Sequence, residues 1–293
     1  KLKNSEAFAP VAPYYITQIY YLQGKYDELL KYAPPLLDST GTKNGLEIGR
    51  MIGESFYRKG NYAEAIPYVL DYIKNSGGAT RKDDYVLAYC YYRNGGCEKA
   101  IPAFQNLTGG NDSLAQYAYY HLADCYIKLN KKQSARNAFQ SSGKMKFNVH
   151  IQEESQFNFA KLSYELNFES VAIESFRSFQ KNFPNSSHTA EVNELMVNVY
   201  ANTKNYKDAI TAIESIKNKS DNIKAIYQKV AYYYGVELFM DNKPKDAIGM
   251  FDLSMKNSSE QKLFASANYW KGEAQYKLNI YDDALKSYSD FLF

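Results

Sequence analysis

Gly53-Glu54-Ser55-Phe56-Tyr57-Arg58-Lys59-Gly60-Asn61-Tyr62-Ala63-Glu64-Ala65-Ile66 holds the end of one amphipathic run, a glycine turn and the start of another. With Ala65 as the anchor, the pattern recurs at Leu29, Ala100, Ala135, Ala172, Ala209, Ala247 and Ala284, at intervals of 35 to 38 residues. The turn before each anchor reads Gly24-Lys25-Tyr26, Gly60-Asn61-Tyr62, Gly95-Gly96-Cys97, Asn130-Lys131-Lys132, Asn167-Phe168-Glu169, Asn205-Tyr206, Asn242-Lys243-Pro244 and Asn279-Ile280-Tyr281. A fixed period in this range predicts a solenoid, because one such unit can bury its apolar face only against its neighbours.

Each unit predicts a helix-turn-helix. Twelve residues before the anchor stands a small residue in six repeats: Gly53, Ala88, Ala123, Ala160, Gly235 and Gly272. An aromatic residue is usual nine before it, three positions on, hence on the same helical face. Four residues after the anchor come Val69, Phe104, Phe139, Phe176, Ile213, Phe251 and Tyr288, expected to point as knobs into the next repeat. Glycine or asparagine at the turn fits a chain leaving a helix through left-handed backbone.

This pattern resembles the tetratricopeptide repeat, and the resemblance runs over nearly the whole chain. It implies an all-α, right-handed superhelical solenoid of about eight repeats forming a single domain over 1–293. The units fall roughly at 10–43, 46–80, 81–113, 116–149, 153–186, 190–221, 228–261 and 265–293, the last truncated. Departures are local: only Pro184 closes a repeat as the family proline does, Thr17 and Leu29 stand where the first repeat should carry small residues, and the sixth has Val197.

Composition narrows the function. Hydrophobic residues make up 45% and charged residues 23%, and no stretch approaches the roughly 18 uncharged apolar residues of a membrane span. The Gly45, Gly49, Gly53 series is interrupted by Glu47, Arg50 and Glu54, so it reads as close helix packing. A net charge of +3 from 35 basic and 32 acidic residues, without a basic block, argues against nucleic acid as a partner. The chain starts at Lys1 and ends in the eighth unit with Tyr288, Phe291, Leu292 and Phe293, which leads us to expect a fragment followed by more repeats or another domain.

Catalytic constellations are missing from the sequence: it has no phosphate loop, no H-E-x-x-H pair and no G-x-S-x-G elbow. We therefore expect no enzyme activity, no cofactor and no metal. His121 and Cys125 have ligand spacing, but two ligands do not complete a tetrahedral site. Cys90, Cys97 and Cys125 read as buried thiols, with a disulfide left open as the alternative.

Tyrosine is the compositional outlier, at 29 residues. In the family, particular positions of each first helix look into a groove where peptide ligands lie. The resemblance carries those positions onto Tyr14 and Tyr21; Arg50, Tyr57 and Arg58; Tyr85, Tyr89, Tyr92 and Arg93; Tyr117, Tyr120, Asp124 and Lys128; and Phe157, Lys161 and Tyr164. Further along they fall on Tyr232, Phe239, Tyr269, Glu273 and Tyr276. Aromatic residues interleaved with arginine suit a protein-binding surface, although such rings also brace neighbouring repeats. Asn198 and Asn202 lie near Glu194 where a carboxylate clamp would place lysine, which argues against recognition of a C-terminal carboxylate.

The expected role is thus a scaffold or adaptor that binds proteins or peptide segments in a tyrosine-rich concave groove. The alternatives are a positioning domain of a larger enzyme or sensor and self-association of the array. The segment Ala172-Ile173-Glu174-Ser175-Phe176-Arg177-Ser178-Phe179-Gln180-Lys181-Asn182-Phe183-Pro184-Asn185-Ser186 is similar to a variant found in envelope-associated proteins of this family, and the Lys, Asn and Tyr content resembles large repeat proteins of Bacteroidetes. The triplets Asp38-Ser39-Thr40 and Asp112-Ser113-Leu114 fit a short sugar-attachment pattern. Together they point to the periplasm or cell envelope, with the cytoplasm as the alternative.

Overall fold

The computed structural model describes residues 11–37 and 42–293, with the side chains of residues 42 and 43 left aside. The Asp38-Ser39-Thr40 triplet and the start of the first repeat at residue 10 lie outside the described residues. The chain divides into two compact units, Lys1–Leu162 and Ser163–Phe293. In the first, α1 (Ala12–Leu22) pairs with α2 (Tyr26–Tyr32), α3 (Thr42–Lys59) with α4 (Tyr62–Asn75), α5 (Arg81–Arg93) with α6 (Cys97–Gln105), and α7 (Ser113–Lys128) with α8 (Lys132–Lys144). A 3-10 turn at Pro34–Leu36 follows α2, and α9 (Val149–Glu165) reaches the division between the units. The second unit holds α10 (Glu169–Asn182), then the pairs α11 (Thr189–Asn202) with α12 (Tyr206–Ser215), α13 (Asp221–Met240) with α14 (Pro244–Lys256), and α15 (Gln261–Lys277) with α16 (Tyr281–Leu292).

One backbone device recurs eight times. Five residues before every anchor, the chain takes a left-handed conformation: Gly24, Gly60, Gly95, Asn130, Asn167, Lys204, Asn242 and Asn279 all have φ between 55° and 81°. The next residue's N–H reaches back to a carbonyl in the last turn of the first helix, as from Lys25 to Tyr20, Asn61 to Phe56 and Asn205 to Tyr200, each at 2.9 Å. This is the bond of a Schellman ending, and it satisfies carbonyls that would otherwise be left without partners. In the sixth repeat the left-handed residue is Lys204 (φ 58°), one position before the Asn205 on which the sequence reading set the turn.

The small residue and the knob meet within one hairpin. A methyl group on Gly53 would lie 2.8 Å from Val69, one on Gly235 2.7 Å from the Phe251 ring, and one on Gly272 2.8 Å from the Tyr288 ring. The knobs thus close their own hairpin first. Phe104 also reaches the next first helix, with its ring 5.6 Å from that of His121. Anchors Leu29, Ala65, Ala100, Ala135, Ala172, Ala209 and Ala247 are fully buried, and Ala284 is 2% exposed.

Two buried glutamines tie consecutive hairpins together. Gln116, nineteen residues before Ala135, donates to the carbonyls of Met145 (2.9 Å) and Asn148 (3.1 Å) and accepts from the Asn148 N–H (2.7 Å). Gln228, nineteen before Ala247, donates to the Glu260 carbonyl (2.9 Å) and accepts from the N–H groups of Ser259 and Glu260 (both 2.8 Å). Ser142 and Ser254 donate to the glutamines' own carbonyls at 3.1 and 2.8 Å. Each amide therefore satisfies the chain that leads into the next helix, where backbone groups would otherwise go unpaired.

Glycines at contrasting positions separate packing from propensity. Nothing lies within 4 Å of a methyl group on Gly249, inside α14. Gly249→Ala should raise stability by about 0.5–1 kcal/mol through helix propensity. Gly235→Ala should lower it by about 1–3 kcal/mol, because the Phe251 ring is fully enclosed. Urea unfolding of the two variants checks the opposite signs.

A second backbone test uses the turn. Lys204→Gly should stabilise the protein by about 0.5–1 kcal/mol, as glycine enters left-handed backbone without steric cost. A shifted urea midpoint with an unchanged slope is the expected observation.

Candidate protein-binding face

The first helices of the first unit carry their aromatic residues at fixed offsets from the anchor. Tyr85 and Tyr120 stand fifteen before it, Tyr89 eleven, Tyr57 and Tyr92 eight, and Tyr117 eighteen, which sets them along one helical stripe. The rings form a ladder across α3, α5 and α7. Tyr57 meets Tyr89 at 5.8 Å, Tyr89 meets Tyr85 at 5.9 Å and Tyr92 at 5.8 Å, and Tyr85 meets Tyr117 at 6.3 Å. Tyr62 of α4 joins at 5.8 Å from Tyr89. All six first-helix rings are half-buried; Tyr120 packs on His121 at 5.4 Å and Phe139 at 6.0 Å, and the other five touch one another.

Cations lie over this ladder. Lys128 sits 4.3 Å from the centre of the Tyr92 ring and pairs with Asp124 at 2.8 Å. Arg93 lies 4.9 Å from the Tyr62 ring and donates to the Tyr89 hydroxyl at 3.0 Å. Arg58 lies 5.9 Å from the Tyr57 ring. These three cations share one register, seven before the anchor, and all are exposed. Cation–ring contacts of this kind are worth about 0.5–1 kcal/mol at exposed sites. Burial raises the hydroxyl pKa of Tyr57, Tyr85 and Tyr120, and pushes Tyr92 up to about 12, where the Asp124 carboxylate adds to the effect. These phenols therefore remain neutral hydrogen-bonding groups throughout the physiological range.

Other residues of the expected groove serve different ends. Arg50 is turned to Glu47 (3.1 Å) and Glu54 (3.3 Å), with Tyr72 donating to Glu47 at 2.8 Å. Tyr117 accepts from the Asn148 amide at 2.6 Å. Phe157 is only 5% exposed, so its ring offers a ligand little surface; Lys161 lies over it at 5.7 Å. Tyr164 is half-buried and belongs to the second unit. In that unit, Tyr269 and Tyr276 are exposed, and Glu273 accepts from Tyr288 at 2.8 Å.

Two groups absent from the expected groove shape this face. Glu54, 3% exposed, accepts from Lys82 at 2.8 Å and from Arg50, with Arg58 at 3.8 Å. Burial works to raise its carboxyl pKa, but the bonds from Lys82 and Tyr21 and the nearby cations hold it below the ordinary value. In the sequence it registered only as a charge breaking a glycine series. His121 lies under the ladder, with Tyr92 at 4.9 Å, Tyr89 at 5.1 Å, Tyr120 at 5.4 Å and Phe104 at 5.6 Å. It is 9% exposed, and its Nδ1 has no hydrogen-bond partner.

The three cysteines are free and buried. Burial pushes the Cys90 thiol up to about 12 and raises Cys125, which is also in hydrogen-bond contact with Cys97. Thiols so shifted are poor nucleophiles. Among the described residues, no three His, Cys, Asp or Glu side chains converge as a metal site, and no helix is long and apolar enough to cross a membrane.

Comparisons with known proteins agree with this architecture. A family model described as anaphase-promoting complex, cyclosome, subunit 3 matches residues 58–142, a minority of the chain that includes most of the tyrosine ladder. A comparison with curated proteins gives no match. Among solved structures, the chain is similar to Naa15/Naa10 bound to HypK-THB, with 12% identity and a TM-score of 0.53 over 84% of this chain and 36% of that one. It is also similar to the C-terminal part of a TPR repeat-containing protein from Cytophaga hutchinsonii, with 11% identity and a TM-score of 0.50 over 86% of this chain and 98% of that one. A tetratricopeptide repeat protein from Parabacteroides merdae is 13% identical with a TM-score of 0.46, over 88% and 97% of the two chains. At these identities the likeness concerns the fold: the chain is an all-α repeat solenoid of the tetratricopeptide type.

Burial gives His121 a measurable signature. It lowers the imidazole pKa from 6.5 to about 4, against the pull of Asp124. The neutral ring is favoured in the folded protein, so its contribution is fully present above pH 6.5 and is lost as pH falls towards 4. The shift corresponds to about 3 kcal/mol. His121→Leu should therefore lose less stability than the unmodified protein between pH 7 and pH 4, as measured by urea unfolding at a series of pH values.

Proposed function

We propose that the protein is a non-catalytic scaffold that binds an extended segment of a partner protein on the tyrosine ladder of α3, α5 and α7. The observation that carries this reading is the set of cations at one register, Arg58, Arg93 and Lys128, above rings already fixed by mutual packing. Fixed rings offer amphipathic contact area at little further entropic cost. The exposed cations at one edge favour a segment with carboxylates near its aromatic or apolar anchors. Solenoids of this type generally serve protein–protein interaction, which supports the reading. We further place the protein in the periplasm or cell envelope, on the strength of the segment 172–186.

The experiment is affinity capture from the source cell with mass spectrometry, comparing the unmodified chain with Arg58→Glu, Arg93→Glu and Lys128→Glu combined. These side chains are exposed, so circular dichroism should change little, but the new carboxylates at 58 and 128 face Glu54 and Asp124 and should lower the melting temperature, so capture is run well below the variant's own melting transition. Recovery of the specific partner should fall at least about tenfold, the effect of losing about 1.4 kcal/mol. Adding Tyr89→Ala should remove the remainder, and the partner's identity fixes the compartment. Equal recovery by all three proteins would assign the ladder a purely structural role.

A further inference from the structure

Cys90 and Cys125 hold the same register, ten before their anchors, on the face of a first helix that seats on the preceding hairpin. What stands opposite them differs. Tyr62, three before the previous anchor, packs on the cluster that holds Cys90, and a phenol gives a thiol no partner for covalent chemistry. Opposite Cys125 the residue three before the previous anchor is Cys97, and the two thiols are in hydrogen-bond contact. Of the eight residues at that position, all of them among the described residues, Cys97 alone is buried.

The placement of the two sulfurs suits a bond between them. Both belong to one cluster with Ala88, Ala100 and Leu122. Cys97 opens α6 directly after the left-handed turn at Gly95 and is 6% exposed, whereas Cys125, inside α7, is fully enclosed. From hydrogen-bond contact the sulfurs have only to close to a bond of about 2.05 Å. That bond ties the second helix of the third repeat to α7 of the fourth, the helix that carries Tyr117, Tyr120 and Lys128.

We propose that Cys97 and Cys125 form a disulfide that staples the third repeat to the fourth when the protein meets an oxidising thiol–disulfide pool, and that Cys90 stays outside it. With oxidised glutathione as the oxidant, the Cys97 thiolate attacks the glutathione disulfide, one glutathione leaves as its thiolate, and Cys97 is held as a mixed disulfide. The Cys125 thiolate then attacks the Cys97 sulfur and expels the second glutathione. The protein gives up two protons and two electrons, and the oxidant becomes two molecules of reduced glutathione. Cys97 reacts first because it alone of the pair reaches the surface. Burial keeps Cys125 protonated, so closure in the folded chain is slow, and the same burial shields the finished bond from reductants. The pair stands whether or not the ladder binds a partner.

The test is equilibration of the full chain in buffers that run from wholly reduced to wholly oxidised glutathione, held until the mass stops changing, followed by acid quenching and alkylation. Trypsin cuts after Lys82, Arg93, Lys99 and Lys128, so each cysteine falls in a peptide of its own. The oxidised chain should be lighter by two hydrogens, with peptide 94–99 joined to peptide 100–128 and Cys90 alkylated. Its urea midpoint should lie above that of the reduced chain, since the bond closes a loop in the unfolded state. Cys90→Ala should oxidise as the unmodified chain does, whereas Cys97→Ala and Cys125→Ala should form no internal bond. In urea the pair nearest in sequence, Cys90 with Cys97, should predominate, so that a 97–125 bond in buffer is the choice of the fold. Three alkylated thiols in the folded chain under conditions that oxidise the urea-unfolded one would overturn the proposal. A native bond that includes Cys90, or an oxidised form with the lower urea midpoint, would do the same.

Discussion

The constraint on which everything else depends is the left-handed residue five before each anchor. It turns the chain back at one angle, so the knob four residues past the anchor arrives over the small residue twelve before it. Where that residue is glycine the approach leaves no room for a methyl group, as the 2.7 Å from Gly235 to the Phe251 ring shows. Because the same dihedral recurs at all eight turns, every hairpin presents equivalent positions to its neighbours. Equivalent positions are what allow neighbouring hairpins to share their cores, as Ala65 and Val69 do with Val86 and Cys90.

The tyrosines sit between the demands of core and surface. A phenylalanine at each of these positions would satisfy the packing, but it would lose the hydroxyls that meet Arg93, Asp124 and Asn148. A charged residue would meet water and leave the ladder broken. Tyrosine does both tasks, with its ring in the stack and its hydroxyl at the rim. The cost of holding Arg93 and Lys128 in place is thereby met by rings and hydroxyls of the chain itself.

How far the sequence revealed this structure depended on where each feature originates. Turn, anchor and knob follow from the backbone geometry of a single hairpin, so they recur and can be read. Lys204 escaped because the adjacent Asn205 is the better residue for a left-handed turn, and only the backbone dihedral places the turn one position earlier. Gln116 and Gln228 gave no signal, since their partners are carbonyls and N–H groups of loops about 30 residues away, which no side-chain pattern marks. The offsets expected to face a groove placed Tyr89, Tyr92, Arg93 and Lys128 along one stripe. The same offsets put Phe157 in a buried position, because the register of α9 does not leave that ring open.

Glu54 and His121 show why the candidate face is more than the sum of its exposed residues. A carboxylate only 3% exposed normally calls for one strong partner, yet Glu54 gathers Arg50, Arg58 and Lys82 from α3 and α5. Removing it would leave three cations repelling one another beside Tyr21 and Tyr57, so the ladder's first rung depends on a residue that cannot itself touch a ligand. His121 plays the complementary part under the other rungs, where its flat ring meets four aromatic neighbours within 5.6 Å and its Nδ1 is left without a partner. A leucine there would pack, but it would not present a flat ring to Tyr89 and Tyr92. A face fixed from beneath by one anion and one neutral imidazole keeps its rings in place before any partner arrives, which is the condition under which aromatic contact area becomes affinity.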